Sequence, residues 1–222
     1  MVNPETPESG ELTEGGERTR ESEIKANVEF WKGLGVEVDE ADVRAKIEEL
    51  PEVEGFDWYI YVPKDAEISD LERKSESMIR VSKNDDDLGN FDQIKQPRSD
   101  LEASYAVAAR YQQEPDEDTL GDGVEPATEW EKKDDSFMSP TEYMVAMMRW
   151  QRQEGTHLDE ANQTIFPGSR TQKGKVLVMG YVPDHENVGI YSCHPGYCSA
   201  QEEHTGRFIM GVRRVITKDT KV

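Results

Sequence analysis

The sequence predicts an α+β fold: a small mixed-sheet N-terminal part, then a buried helix packed on an antiparallel three-stranded meander in the C-terminal part. Three observations carry this expectation. Residues 56–62 are a run of aromatic and β-branched side chains. Residues 139–155 hold a full set of helix start and stop signals, and three strand-like runs separated by turn residues follow between 175 and 216. The expected organisation is a disordered acidic tail over 1–21, an acidic α/β part over 22–111, an acidic linker or long loop over 112–136, an α+β part over 137–217 and a tail over 218–222.

The tail, 1–21, sets several carboxylates among prolines and glycines and has few apolar side chains to offset the entropy of ordering. From Ser22, Ile24, Val28 and Trp31 recur at helical spacing, and Gly33 and Gly35 can take the left-handed conformation that ends a helix. Asp39 is the N-cap of a second helix, with Val43, Ile47 and Leu50 on one stripe and Pro51 as its stop. In the run 56–62, alternation puts Phe56, Trp58, Ile60 and Val62 on one face of a strand that Pro63 terminates. Ser69 caps a short helix around Leu71, and 78–81 reads as a short strand. For 105–110, alanines favour a helix while Tyr105 and Val107 favour a strand; the reading here leans to a strand. Between Gln112 and Ser136 prolines, glycines and charges interrupt any period, as in a linker or surface loop.

Ser139, Pro140 and Glu142 form a capping box with proline at the first helical position, and Gly155 closes the helix. Tyr143, Met144, Val145, Ala146, Met147, Met148 and Trp150 leave it apolar over most of its circumference, so it must be buried on more than one side. After a turn through Pro167, Gly168 and Ser169, the runs 175–182, 187–193 and 207–216 form the expected meander. There is no internal repeat.

The 222 residues include 47 Asp and Glu against 26 Lys and Arg, a formal net charge of −21. No apolar run is long enough to span a membrane as a helix, and the first residues lack a secretory signal pattern, so a soluble cytoplasmic protein without membrane association is expected. The charge is uneven: residues 1–136 carry −22 and residues 137–222 carry +1. Adaptation to high salt would acidify the whole surface, so the asymmetry argues against salt adaptation alone. A surface this negative repels phosphate, so no direct nucleic-acid binding is expected through the acidic part. Arg207, Arg213, Arg214, Lys218 and Lys221 near the end could meet an anion, or could simply solvate a strand face.

Candidate chemistry is sparse. Cys193, His194, Cys198 and His204 include enough thiolates and imidazoles for a tetrahedral zinc site. Adjacent Cys193 and His194 would point to opposite faces of a strand, however, and a disulfide across the turn or ordinary turn residues are the competing readings. Asp85, Asp86, Asp87, Gly89, Asn90 and Asp92 resemble a calcium loop, but glycine falls at position five and Gln96 at twelve, so a solvated acidic turn is favoured. His157 with Asp159 and Glu160, followed by Ser169 and Arg170, could form an acid–base site; a histidine beside a carboxylate after a helix is more often a structural hydrogen bond. His185 has no partner in sequence. Gly121 and Gly123 follow no strand and open no helix, as a phosphate cradle requires. Met144, Met147 and Met148 suit either an adaptable binding face or a core, and the aromatic neighbours favour the core. No cofactor is expected.

Phe30-Trp31, Gly55-Phe56-Asp57, Ser104-Tyr105-Ala106-Val107, Thr156-His157-Leu158-Asp159 and Pro167-Gly168-Ser169-Arg170 occur in an order, over about residues 28–216, that resembles an uncharacterised bacterial protein family with no assigned function. The resemblance implies a strand at Tyr105 and that the two halves belong together as one architecture. It implies no activity, cofactor or site residue. The sequence departs from that pattern in its acidic tail, its acidic insertion after Arg110 and its cysteine pair.

Three functions remain. The leading expectation is a non-enzymatic interaction protein whose acidic surface binds a basic protein partner. The second is a nucleic-acid mimic that inhibits a DNA- or RNA-binding protein. The third is a small enzyme using His157, Asp159 and Arg170, with or without a metal at Cys193, Cys198 and His204.

Overall fold

The structure, a computed structural model, describes residues 18–75, 81–83, 94–98, 103–120, 130, 136–193 and 209–221. The expected acidic tail, the calcium-like segment 85–92 and Met78, Ile79 and Arg80 of the expected short strand lie outside these residues. The molecule is α+β. Helix α1 spans Arg20–Gly33 and α2 spans Glu40–Glu48; strand β1 is Trp58–Val62, α3 is Ile68–Ser75, β2 is Val81–Lys83 and β3 is Tyr105–Ala109. Helix α4, Pro140–Glu154, precedes β4 (Asn162–Arg170), β5 (Val176–Val182), β6 (Asn187–Cys193), β7 (Ile209–Gly211) and β8 (Val215–Ile216).

Local signals place the helices. Thr19 caps α1 reciprocally with Ser22, so the helix begins two residues earlier than its apolar spacing suggested. Asp39 accepts from the amide of Ala41 at the start of α2, whose Val43 and Ile47 are buried. Helix α3 starts at Ile68, one residue before the expected cap Ser69, and buries Ile68 and Leu71. Ser139 and Glu142 form the capping box of α4, and Gly155 ends it at φ +71°. Every residue from Pro140 to Trp150 is buried, and the methionine cluster is core.

Strands form two sheets. The first has the order β1-β3-β8, antiparallel throughout, and settles Tyr105–Ala109 as a strand. The second has the order β2-β6-β5-β4-β7, with β4-β5-β6 as an antiparallel meander and β2 and β7 added in parallel at its edges. The meander is therefore not built from the three runs the sequence suggested. Pro167, Gly168 and Ser169 lie inside β4 as an irregularity where the pairing with β5 shifts between Phe166 and Arg170. The run 207–216 contributes to both sheets, β7 beside β4 and β8 beside β3.

Alternation along the second sheet separates two apolar clusters. Leu177, Met179 and Phe166 join a large core running from Ile24 to Ile216, while Val176, Val178 and Ile165 join Trp130, Phe137, Met210 and Val212 in a smaller one. The large core includes α1, α2, β1 and β3 from the first half and α4 and β8 from the second.

Part of the expected linker is packed. A single 3₁₀ turn, Glu117–Thr119, lies against β7: the amide of Asp116 donates to the Val212 carbonyl, and the Thr119 hydroxyl oxygen accepts from the Val212 amide, both at 3.0 Å. A side chain at Gly211 would come within 2.9 Å of Pro115, Thr119 and Leu120, so this approach requires glycine. Among the described residues no helix is long and apolar enough to cross a membrane.

Candidate functional site

Alternation predicted one buried face for β1, yet Tyr59 and Tyr61 are buried as well, because the strand is contacted by α1, α2 and α4. β1 is also an edge strand, whose outward backbone groups need partners. Asn27 supplies them as a neighbouring strand would: its Oδ1 accepts from the Tyr61 amide at 3.0 Å, and its Nδ2 donates to the Tyr59 carbonyl at 2.9 Å. The Trp31 indole donates to the Tyr61 carbonyl at 3.0 Å. Arg149, from the middle of α4, donates to the Tyr59 carbonyl at 2.5 Å and to Glu23 Oε2 at 2.7 Å. Arg149 and Glu23 are both buried, so the pair is desolvated and each needs the other.

Arg18, just before α1, donates to the other Glu23 oxygen at 2.7 Å. Its guanidinium carbon lies 3.1 Å from the centre of the Tyr111 ring. That ring packs on Trp150 with centroids 4.7 Å apart and meets Trp58 edge-on at 5.2 Å, while the Tyr111 hydroxyl donates to Glu154.

A second buried network surrounds Asp159, which is wholly buried and holds φ +57°. Its Oδ1 accepts from Arg213 at 2.5 Å, and its Oδ2 accepts from Tyr143 of α4 at 2.8 Å and Thr164 of β4 at 2.6 Å. Arg213 also donates to the carbonyls of Gln112 and Gln113, tying the segment after β3 to the β7–β8 connection. Burial pushes the Asp159 carboxyl above its ordinary value against the pull of Arg213, and burial next to Asp159 drives the Tyr143 hydroxyl well above its own. All the donors converge from inside the protein.

His157 is half-buried and stacks on Tyr181, with ring centres 4.0 Å apart; burial lowers its imidazole below the usual value, against a smaller upward pull from Glu160. Its backbone amide, not its ring, meets the Glu160 carboxylate at 3.0 Å. Arg170 ends β4, donates to the carbonyls of Pro167 and Ser169, and its backbone bridges Lys95. Asp159 lies before the other end of that nine-residue strand. His157, Asp159 and Arg170 thus serve three separate contacts. Cys193 is disulfide-bonded, and His194, Cys198 and His204 lie outside the described residues. Disulfides persist mainly in oxidising compartments, which stands in tension with the cytoplasmic setting expected from the sequence.

Two polar clefts open on the surface. One, of about 290 Å³, lies beside the β1–α3 loop and is lined by Lys64, Glu67, Gln96, Arg98, Tyr105 and Thr141. Arg98 is held there by Glu142, at 2.6 Å, and by the Phe137 carbonyl. The other, of about 410 Å³, lies at β8 and includes Arg110, Arg214 and Lys221. Arg110 is bound to Asp116 at 3.0 Å and Arg214 to Asp118 at 2.7 Å, so acids of this chain already engage both guanidiniums.

The outer surface around α2 is different. From residue 37 to 57, Glu37, Asp39, Glu40, Glu48, Glu49, Glu52, Glu54 and Asp57 are all exposed. The two cations of that stretch are engaged internally: Arg44 binds Glu21 at 2.6 Å and Glu40 at 3.2 Å, and Lys46 lies 3.5 Å from Glu49. Arg44 pulls the Glu21 carboxyl below its ordinary value.

The buried pairs Glu23–Arg149, Arg213–Asp159 and Arg98–Glu142 were missed as partners by sequence reasoning. A signal existed for Arg149: a cation on a helix apolar nearly all round demands a buried counter-charge. No protein-family model, curated protein or solved structure matches this chain, so the family resemblance gains no support from these comparisons.

Proposed function

We propose that this is a non-enzymatic interaction protein whose acidic face around α2 binds a basic protein partner. The observation that carries the reading is the run of eight exposed carboxylates between Glu37 and Asp57, in which the two cations, Arg44 and Lys46, are held in ion pairs. Such a face draws a cationic surface over a distance of about one Debye length, roughly 10 Å at 0.1 M salt. It repels phosphate backbones and anionic lipid for the same reason. The enzymatic alternative has less support, since the hydrogen bonds of Asp159 all come from the interior and His157 and Arg170 serve other contacts.

The test is binding of an arginine- and lysine-rich peptide to the purified chain at low and high ionic strength. A variant with Asp39→Asn, Glu40→Gln, Glu48→Gln and Glu49→Gln serves as comparator, with circular dichroism to verify folding. The expected result is binding that weakens at least tenfold from 50 mM to 500 mM salt and is lost in the neutralised variant. Binding unaffected by both salt and neutralisation would remove the reading.

A further inference from the structure

Arg18, immediately before the cap of α1, makes two contacts with one guanidinium. Its guanidinium lies over the Tyr111 ring while donating to the buried carboxylate of Glu23. Planar stacking on an aromatic ring together with a charge-assisted hydrogen bond is the chemistry by which proteins select arginine over lysine. The platform beneath is rigid, since Tyr111 rests on Trp150 and Trp58, both buried, and its hydroxyl is anchored by Glu154.

Two features make Arg18 a replaceable occupant. Glu23 is shared with Arg149, so it remains paired when Arg18 leaves. Arg18 also precedes the cap Thr19, so lifting it off the ring breaks no hydrogen bond of the capping box that starts α1. Residues 1–17 contain no Lys or Arg. The position adjoins the acidic face: neighbouring Arg20 donates to the Leu50 carbonyl at 2.7 Å and lies 3.6 Å from Glu52.

We infer that Tyr111, Glu23 and the aromatic pair behind them form an arginine-binding site, filled in the free protein by Arg18 and opened to an arginine side chain of the basic partner. The inference rests on the proposed acidic-face function and adds the identity of the side chain recognised. An internal occupant lowers apparent affinity in proportion to its occupancy, so removing it strengthens binding without any new contact.

The experiment measures fluorescence anisotropy of a labelled peptide of alternating glycine and arginine, and of its glycine–lysine counterpart. Both are titrated against the wild-type chain, Arg18→Ala, Arg18→Lys and the double variant Arg18→Ala/Tyr111→Leu, each first shown by thermal melting to be folded. Arg18→Ala is expected to bind the arginine peptide about five- to tenfold more tightly, with little gain for the lysine peptide. Arg18→Lys should give a smaller gain, because lysine competes for Glu23 without stacking, and the double variant should lose the gain. An equal gain for both peptides would mean that only net charge had changed, and would overturn the site. No gain in Arg18→Ala, with salt-sensitive binding intact, would overturn the site and leave the acidic-face reading standing. Absence of salt-sensitive binding in every variant would overturn both.

Discussion

Asp159 shows how far a residue's role depends on partners remote in sequence. It attracted notice beside His157 as half of an acid–base pair, and the local pattern Thr156-His157-Leu158-Asp159 supports nothing more specific. Its actual partner Arg213 lies 54 positions away, and its other donors come from α4 and β4. The carboxylate joins the long helix, β4 and the β7–β8 connection, and through Arg213 the segment after β3. Asp159→Asn should therefore leave Arg213 buried without a counter-charge and cost about 3–5 kcal/mol, read as a lower urea midpoint. A loss below about 1 kcal/mol would mean that solvent reaches Arg213. The same reasoning separates the two arginines near Glu23: Arg149 is buried and structural, while Arg18 is partly exposed and replaceable.

At the scale of elements, helices were legible because their signals are local. Asp39, the Ser139–Glu142 box, Pro140 and Gly155 act within one turn of chain and appear where expected. Strands were less legible, since pairing is fixed by whatever lies alongside. The turn expected at Pro167–Gly168–Ser169 became an irregularity within β4, and the last run divided between two sheets. No pattern in β1 announces that Asn27 completes its free edge. Asn27→Leu removes the acceptor of the Tyr61 amide and one donor to the Tyr59 carbonyl, and should cost about 1–3 kcal/mol. Faster hydrogen exchange at the Tyr61 amide, confined to β1 and its neighbours, is the expected signature; unchanged exchange there would show that the edge is closed by other means.

Across the whole molecule, the two halves exchange strands. β8 completes the sheet of β1 and β3, β2 extends the sheet of β4 to β7, and a single large core includes residues of both. Fragments 18–111 and 137–221, produced separately, are expected to lack a cooperative thermal transition and to regain one on mixing. Independent cooperative melting of either would show that its own strands suffice. The charge asymmetry read from the sequence finds a local form in the carboxylates around α2. The sequence by itself determined the α+β class, the start of α2 and both limits of α4, the apolar character of α4 and the uneven charge, since each depends on composition or on signals within a few residues. Only the tertiary structure decided which carboxylates are buried beside arginines, which strand run serves which sheet and that an arginine lies on Tyr111. Those outcomes depend on contacts between residues tens to more than a hundred positions apart, where desolvation and the demand for paired hydrogen bonds override local preference.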